Sequence, residues 1–319
     1  MSSPGGLVLA IGEVLWDLLP DGPTLGGAPT NVAAHLHRLG RPSAILTGVG
    51  VDELGRTARR EIGKLGIRTT WIQTSANLPT GIAEVKLDNG SATFTIPRPA
   101  AFDDLSLEQG ALNEIVIASP VAIVIGTLAQ QFPQTRAVTN AVLDACPSAL
   151  LLYDVNLRDG WDDALVDGLL SISTVIKLSE SEAGEIARIR GLSMQDPQRF
   201  MRDLARQTGA RAVCVTLGAE GGVLLLDDQM VRGFAPAVSS KDTVGAGDAF
   251  AAALLDGLLA YDAPERTLRR AIALGALVSS HRGATPSWDL SDLEAVTALT
   301  PPPNRPTGGR WVGDATPVE

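Results

Sequence analysis

The sequence predicts an α/β fold in which a mostly parallel sheet carries helices on both faces and a small, separate β sheet stands beside it. Short, continuously apolar segments alternate with helical patterns along most of the chain, which is typical of buried parallel strands. Residues 68–98, by contrast, are rich in β-forming residues and contain no helical pattern. With 319 residues, 45% of them hydrophobic, the chain can bury a sizeable core. We therefore expect one domain over residues 1–319.

The N-terminal segments predict the start of the large sheet. An apolar run at residues 7–14 predicts its first strand. A glycine-rich loop then leads into a helix that has Pro29 in its first turn and Gly40 after its last. The next strand and helix are predicted at residues 44–48 and 53–65.

The β-rich stretch that follows predicts a lid. Three strands without intervening helices are expected at residues 69–73, 80–87 and 91–96. Asn89-Gly90 is a strong signal for a hairpin turn between the last two. Because no helix crosses between these strands, we assign residues 68–98, together with about residues 14–25, to a small sheet apart from the main layers.

In the C-terminal half the alternation of strand and helix becomes regular. Strands are predicted at residues 121–125, 149–154, 174–178, 211–217 and 222–226. Helices are predicted at residues 134–143, 162–171, 181–189, 249–259, 264–280 and 289–299. Residues 300–319 are rich in proline and glycine, and we expect this tail to be loosely held.

The charge balance excludes several classes of partner. The chain carries 26 basic and 36 acidic residues, a formal net charge of −10, without the basic stripe that favours nucleic acid. No apolar run approaches the roughly 18 residues of a membrane helix, and no basic region precedes an apolar segment at the N-terminus. Cys146 and Cys214 lack metal-binding spacing. We expect a soluble cytoplasmic protein that binds neither nucleic acid nor membranes.

A glycine-rich turn ahead of the helix at residues 249–259 is the strongest functional signal. Its residues are Asp242, Thr243, Val244, Gly245, Ala246, Gly247 and Asp248. The two glycines let the backbone approach a ligand, and the free amides of a helix N-terminus attract an anion such as phosphate. Asp248 would repel that anion unless it is the base for an attacking hydroxyl group, which suggests phosphoryl transfer to an alcohol. The alternative is an aspartate that only caps the helix.

Two other stretches could bind a sugar. Asp17 and the loop Gly26-Gly27 with Asn31 combine small residues with a carboxylate and a carboxamide, which suit a sugar diol. A plain helix-entry loop is the alternative interpretation. Arg158 follows the strand predicted at residues 149–154, and ligands bind at this end of the strands in open α/β sheets. Its guanidinium could contact phosphate or sugar, or it could be a solvated cation.

Two further features lie after later strands. Glu182, in the first turn of a predicted helix, could hold water molecules of a Mg²⁺ ion, or it could only complement the helix dipole. The turn that contains Gly218 and Gly221 could approach a ligand or form an ordinary hairpin.

Together these stretches resemble the two signatures of the ribokinase-like (PfkB) carbohydrate kinases. One signature is Gly26-Gly27-Ala28-Pro29-Thr30-Asn31 and the helix up to Gly40, and the other is the turn that ends at Asp248. The resemblance covers nearly the whole chain, up to Ser287. The segments most similar to the fructokinase branch are Gly12-Glu13-Val14-Leu15-Trp16-Asp17, Gly26-Gly27-Ala28-Pro29 and Asp154-Val155-Asn156-Leu157-Arg158 with Trp161.

The resemblance implies a Rossmann-type, ribokinase-like domain with a β lid, which uses ATP and Mg²⁺. By position it implies Asp248 as the base and Gly245, Ala246 and Gly247 as the anion hole. The implied sugar contacts are Asp17, Gly26, Gly27, Asn31, Arg158, Asp248 and, from the lid, Arg98. The implied nucleotide contacts are Lys177, Thr216, Gly218, Gly221, Gly245 and Gly247. The implied metal positions are Glu182 for Mg²⁺ and Asp242, Val244 and Ser287 for a monovalent cation such as K⁺.

The expected reaction is ATP-dependent phosphorylation of a primary hydroxyl group of fructose, at O6 in preference to O1. Two departures from the family pattern bear on it: Ser179 replaces an asparagine ahead of Glu182, and residues 96–103 replace an Asn-Pro-Ser-Ala-Asp stretch after the lid. A 2-keto-3-deoxygluconate kinase, or another sugar or nucleoside kinase, is the enzymatic alternative, in which Arg98 and Arg158 would bind a carboxylate. A catalytically silent sensor of sugar or nucleotide is the non-enzymatic one.

A homodimer is a further expectation from the resemblance, because lid strands often pair across a dimer in this family. Trp71 and Ile72 would suit that interface, or they could pack on their own domain.

Overall fold

The computed structural model describes residues 5–19, 22–88, 91–158 and 160–305, and of residues 85–88 and 91–94 only the backbone. The turn predicted at Asn89-Gly90 and the tail after residue 305 lie outside these ranges. The strands are β1 (Val8–Ile11), β2 (Leu15–Leu19), β3 (Gly22–Gly26), β4 (Ser43–Gly50), β5 (Ile72–Ser75), β6 (Gly81–Asp88), β7 (Ser91–Thr95), β8 (Ala122–Gly126), β9 (Leu150–Asp154), β10 (Val175–Ser179), β11 (Ala212–Thr216), β12 (Gly222–Leu226) and β13 (Gln229–Gly233).

Three helices, at residues 109–118, 127–130 and 197–208, lie outside the predicted elements, and the others match predicted helices. The helices are α1 (Ala28–Arg38), α2 (Glu53–Lys64), α3 (Gln109–Ala118), α4 (Thr127–Gln130), α5 (Pro133–Ala145), α6 (Asp163–Ile172), α7 (Glu180–Arg190), α8 (Pro197–Thr208), α9 (Ala246–Leu259), α10 (Pro264–Ser279) and α11 (Leu290–Leu299). Within the described residues, no helix combines the length and the apolar character needed to cross a membrane.

The large sheet has the order β13-β12-β11-β10-β9-β8-β1-β4-β5. All its pairings are parallel except those of β12 and β13, which add an antiparallel hairpin at one edge. Alternate residues of each strand face opposite sides, so Val8 and Ala10 pack on one face and Leu9 and Ile11 on the other. Helices α1, α2, α9 and α10 cover the first face, and α3 and α5 to α8 contribute to the second. The predicted α/β fold with helices on both faces is therefore confirmed.

The lid is a four-stranded sheet with the order β3-β2-β6-β7. The prediction that residues 69–73 belong to it is wrong, because β5 pairs in parallel with β4 at the edge of the large sheet, where Ile72 lies opposite Thr47. Helix α2 makes the crossover between β4 and β5, as parallel neighbours require. Trp71 and Ile72 are each only 5% exposed, so they pack on their own domain and offer no face to a dimer.

The topology gathers several strand ends at one edge. Strands β1, β8, β9 and β10 are parallel neighbours, so their carboxyl ends meet there. The lid strands β2 and β3 follow β1 directly in the chain, and α1 comes immediately after them. A small apolar cluster joins lid and main layers, with Leu15 and Ala83 against Phe102 and Leu128. This arrangement places the lid beside the edge where ligands bind in open α/β sheets.

Candidate active site

The glycine-rich turn forms the N-terminus of α9. The helix begins at Ala246, three residues before the predicted start, so Asp248 lies inside its first turn. Gly245 precedes it with φ +76°, a left-handed conformation that favours glycine. A Cβ on Gly245 would also lie 2.5 Å from the Cα of Ala284, because the following loop packs against the turn. The first amides of α9 have no intrahelical partner, although that of Ala246 donates to the Thr243 carbonyl at 3.3 Å.

Asn31 joins this turn to the Gly26-Gly27 loop, which we call the sugar loop after its predicted role. Its Nδ2 donates to Oδ2 of Asp248 at 2.8 Å, although the two residues are 217 positions apart in the chain. Helix α1 begins after Gly27, whose carbonyl accepts from the Asn31 amide at 2.9 Å. The hydrogen bond orients the Asp248 carboxylate and leaves its other oxygen available to a substrate.

Asp17 and Glu13 lie against the Gly26-Gly27 loop. A Cβ on Gly26 would stand 2.6 Å from Oδ2 of Asp17, and a Cβ on Gly27 would stand 2.4 Å from the carbonyl oxygen of Glu13. Gly27 also has φ +111°, so its backbone is unsuited to any other residue. The structure therefore brings Asp17, Gly26, Gly27, Asn31 and Asp248 together, as the resemblance implies. Glu13 is an addition that was not among the predicted site residues.

The acids of this group share one uncommitted cation. Burial raises the pKa of Glu13, Asp17 and Asp248 above the ordinary values, while the Arg158 guanidinium lowers the pKa of all three. Arg158 is exposed, and within the described part of the chain it forms no hydrogen bond or ion pair. Because the charge of Arg158 acts on all three carboxyl groups, the residue lies at the site, where its guanidinium can contact a ligand.

A buried ion pair lies beneath the glycine turn. Nζ of Lys177, on β10, donates to both carboxylate oxygens of Asp154, at the end of β9, at 2.9 and 3.1 Å. A Cβ on Gly247 would be 3.3 Å from the same Nζ, so the ammonium lies directly against the proposed anion hole. Burial by itself would lower the pKa of Lys177, but the carboxylates of Asp154, Glu182 and Asp248 outweigh it and raise that pKa. Lys177 therefore carries its positive charge into the site.

The predicted nucleotide and Mg²⁺ positions lie on the next strand ends. Glu182 completes the capping box that Ser179 opens at the start of α7, and its carboxylate accepts from the backbone amides of Leu157 at 2.8 Å and Ser179 at 2.7 Å. Thr216 ends β11 and Gly218 follows it, with open space where a Cβ would be. Gly221 has a packing role instead, since a Cβ there would lie 2.3 Å from the carbonyl oxygen of Gly233.

The side chain of Asp242 joins two loops. Its Oδ1 accepts from the Val244 amide at 3.0 Å, and its Oδ2 accepts from the Gly283 amide at 2.9 Å. The second loop continues to the exposed Ser287. Among the described residues, no group of three or more His, Cys, Asp or Glu side chains could hold a metal ion. The Asp242 carboxylate thus serves the loop geometry, and a cation here would depend on backbone carbonyls.

Helix α1 holds that second loop in place. His35 Nε2 lies 2.9 Å from the carbonyl oxygen of Ala284, and Trp288 Nε1 donates to His35 Nδ1 at 3.1 Å. Burial lowers the pKa of His35 to about 4, so the ring stays neutral and donates through Nε2. Arg38 donates to the carbonyls of Thr285 and Pro286. The helix that orients Asp248 through Asn31 thus also supports the loop packed on Gly245.

The Arg98 side chain has partners within the protein. Its Nε donates to Asp103 Oδ2 at 2.6 Å, and its Nη2 donates to the other oxygen of that carboxylate and to the carbonyl of Leu128. The guanidinium also lies over the rings of Phe102 and Phe132, at 5.0 and 4.7 Å from their centroids. These contacts engage the Arg98 guanidinium within the protein, and its predicted contact with substrate stays a prediction.

Comparison with known proteins agrees with this geometry. The model of the pfkB family carbohydrate kinases matches residues 22–290. The chain is 32% identical over 308 residues to a fructokinase of Klebsiella pneumoniae, which covers 90% of this chain and 97% of that protein.

Two solved structures are similar along almost their whole length. A fructokinase double mutant of Vibrio cholerae, bound to fructose, ADP and potassium ion, superposes with a TM-score of 0.79 at 25% identity, covering 93% of this chain and 100% of that one. A sugar kinase of Pyrococcus horikoshii in complex with ATP gives 0.77 at 25% identity, covering 92% and 99%. The family match, together with the glycine-rich turn and its carboxylate, shows that the chain belongs to the pfkB family of carbohydrate kinases and is a sugar phosphotransferase.

Proposed function

We propose that the protein is an ATP-dependent fructokinase. The observation that carries the proposal is the hydrogen bond between Asn31 and Asp248, because it joins the sugar loop to the anion-binding turn at a single carboxylate. The relatives support it as well, since the Klebsiella pneumoniae protein is a fructokinase and the Vibrio cholerae structure contains fructose and ADP.

In the proposed reaction a primary hydroxyl group of the sugar, O6 in preference to O1, attacks the γ-phosphorus of ATP. Asp248 accepts the hydroxyl proton as the new O–P bond forms, and ADP leaves with the electrons of the broken P–O bond. The amides of Gly245, Ala246 and Gly247, with the Lys177 ammonium against Gly247, stabilise the charge of the transferred group. The lid excludes water, which would otherwise accept the phosphoryl group.

The residues fit a Mg²⁺ ion that is held mainly by the nucleotide. Both oxygens of Glu182 already accept backbone hydrogen bonds, so its remaining lone pairs suit water molecules of the ion better than direct coordination. Magnesium usually keeps several waters and binds few protein carboxylates. When bound, it would offset negative charge on the β- and γ-phosphates. Thr216 and Gly218 would line the nucleotide on the same side.

A monovalent cation site fits the two loops joined by Asp242. The carbonyl oxygens of Asp242 and Val244 accept no hydrogen bond from any residue that the structure describes, and Ser287 lies on the loop tied to them through Gly283. Unpartnered carbonyls and a hydroxyl group are suitable ligands for K⁺. We propose that such an ion would fix the loops behind Gly245.

The charges of the sugar side favour a neutral sugar over a sugar acid. Glu13, Asp17 and Asp248 already face one uncommitted guanidinium, that of Arg158. Arg98, the other candidate partner for a carboxylate, is committed to Asp103 at a distance of 2.6 Å. A substrate carboxylate would compete with three protein carboxyl groups for one cation, whereas the hydroxyl groups of fructose would find acceptors.

One assay tests the substrate. Fructose, ribose, 2-keto-3-deoxygluconate and adenosine are compared in the same coupled measurement of ADP release. We expect the highest kcat/KM with fructose, by roughly tenfold or more, because a site built for hydroxyl groups leaves its buried polar groups unpaired with other substrates. A higher kcat/KM with the sugar acid or the nucleoside would refute the fructokinase assignment and leave the family membership intact.

We also propose a homodimer formed through the lid. Leu18 and Leu19, at the end of β2, are 37% and 40% exposed, more than is usual for such large apolar side chains. Light scattering coupled to size exclusion is expected to give twice the 33.3 kDa of one chain, and Leu18→Glu is expected to shift the protein toward the monomer. A wild-type protein that stays monomeric at all concentrations contradicts this.

A further inference from the structure

Glu13 lies at the carboxyl end of β1, between the main sheet and the sugar loop. Its carbonyl oxygen accepts from Oγ1 of Thr30 at 3.3 Å, and it leaves no room for a side chain on Gly27. The next strand of the chain, β2, carries Asp17. Glu13 is therefore packed against the same loop that supplies the proposed sugar contacts.

The Glu13 carboxyl group is buried, and one of its two oxygens lacks a partner among the described residues. The residue is 3% exposed, and Oε2 has no hydrogen-bond partner among the described residues. Burying a carboxyl oxygen without a partner is costly, and most buried polar groups in folded proteins are satisfied. A ligand that completes its hydrogen bonding would account for such an oxygen.

Glu13 lies close enough to Asp248 and Arg158 for their charges to affect its pKa. Burial raises the pKa of Glu13, a backbone hydrogen bond to the carboxyl group lowers it, and the charges of Arg158 (lowering), Asp248 (raising) and Arg98 (lowering) also act on it. Whether ionised or protonated, a carboxyl group can accept hydrogen bonds from the hydroxyl groups of a sugar.

From these contacts we propose that the Glu13 carboxyl group binds a hydroxyl group of the sugar and is a specificity-determining residue of the site. This rests on the proposed function, in that the ligand is the sugar substrate of the kinase. The hydroxyl group concerned is not the one that Asp248 deprotonates, because the Asp248 carboxylate is already assigned to that group. Glu13 thereby recognises a second hydroxyl group of the sugar.

The test uses sugars that each lack one hydroxyl group. The sugar that gives the highest kcat/KM with the wild-type enzyme is compared with its series of monodeoxy or anhydro analogues, in wild type, Glu13→Gln and Glu13→Ala. We expect Glu13→Ala to raise the KM for the parent sugar about tenfold and to leave the KM for ATP unchanged. One analogue should then be used equally well by wild type and variant, because the group that Glu13 would bind is missing from it.

A merely structural role for Glu13 predicts a different pattern. Thr30→Val, which removes the hydrogen bond to the Glu13 carbonyl and leaves the carboxyl group in place, is the matched control, and every analogue should keep its wild-type penalty in it. If Glu13→Gln and Glu13→Ala also lower kcat/KM by the same factor for every analogue, or raise the KM for ATP equally, the proposal is overturned.

Failure of the proposed function is separable from failure of this inference. If fructose is not the preferred sugar, the analogue series is built on the sugar that is, and the Glu13 comparison is unchanged. Should a variant turn over too slowly for kinetics, the shift in melting temperature caused by each sugar without ATP provides the same comparison. An equal shift in wild type and Glu13→Ala for every sugar contradicts the proposal.

Discussion

Asp248→Asn is expected to lower kcat by about 10³-fold while the protein stays folded and its affinity for ATP is retained. Asparagine has nearly the same shape and its oxygen can still accept the hydrogen bond that Asn31 donates at 2.8 Å. It cannot take the proton of the attacking hydroxyl group. The change in the free energy of unfolding should be small, about 1 kcal/mol or less, since the loss of a charge at the N-terminus of α9 is offset by the removal of a buried one.

The measurements are kcat from ADP release, a denaturant midpoint and ATP affinity. Asp256→Asn is the control, because Asp256 lies in the same helix, roughly 12 Å further along its axis, and pairs there with Arg41. It should lower the midpoint and leave kcat near wild type. Near-normal turnover of Asp248→Asn would remove Asp248 from the role of base.

A pH profile gives an independent reading of the same group. Burial raises the pKa of Asp248, so the base becomes protonated, and the rate falls, at a higher pH than an ordinary aspartate would produce. In the wild type, kcat/KM should therefore decline on the acid side of neutrality in a limb that Asp248→Asn lacks.

Most of the fold was predictable because it depends on local periodicity. Alternating apolar strands and helices, with Pro29 and Gly40 marking one helix, identify the parallel sheet whatever its strand order. The error at β5 has a physical cause: a β-rich segment does not show which sheet it will pair with, and the crossover through α2 decides that in favour of β4. The signals for α8 were present, since Asp196 caps it and Gly209 ends it.

Some residues of the candidate site could likewise be identified from the sequence, and others could not. Gly245 and Gly27 could be recognised from sequence because their positive φ angles leave glycine as the suitable residue. Glu13 could not, because its distinguishing property is an oxygen without a partner, which exists only in the folded chain. For Arg98 the sequence showed a cation after the lid. The fold pairs this cation with Asp103, five residues further on, which the sequence pattern did not show.

The second large effect concerns the buried pair of Lys177 and Asp154. Lys177→Met is expected to lower the free energy of unfolding by about 3–5 kcal/mol, because it leaves the Asp154 carboxylate buried without its countercharge. Both side chains are almost fully enclosed, 8% and 4% exposed, so solvent cannot compensate. Urea denaturation gives the stability, and the pair is examined in a double-mutant cycle with Asp154→Asn.

The double variant Lys177→Met/Asp154→Asn separates a structural role from a functional one. Replacing both charges removes the unpaired carboxylate, so stability should largely return. Turnover should stay about 10²-fold below wild type, because the ammonium that lies 3.3 Å from the Cβ position of Gly247 is still missing from the anion hole. Arg41→Met/Asp256→Asn, at the other end of α9, is the control for turnover and should leave kcat intact, although Arg270, 3.5 Å from Asp256, also loses its partner there. If the Lys177 double variant regains full turnover, the buried pair supports the fold alone and the transferred phosphoryl group depends on the backbone amides.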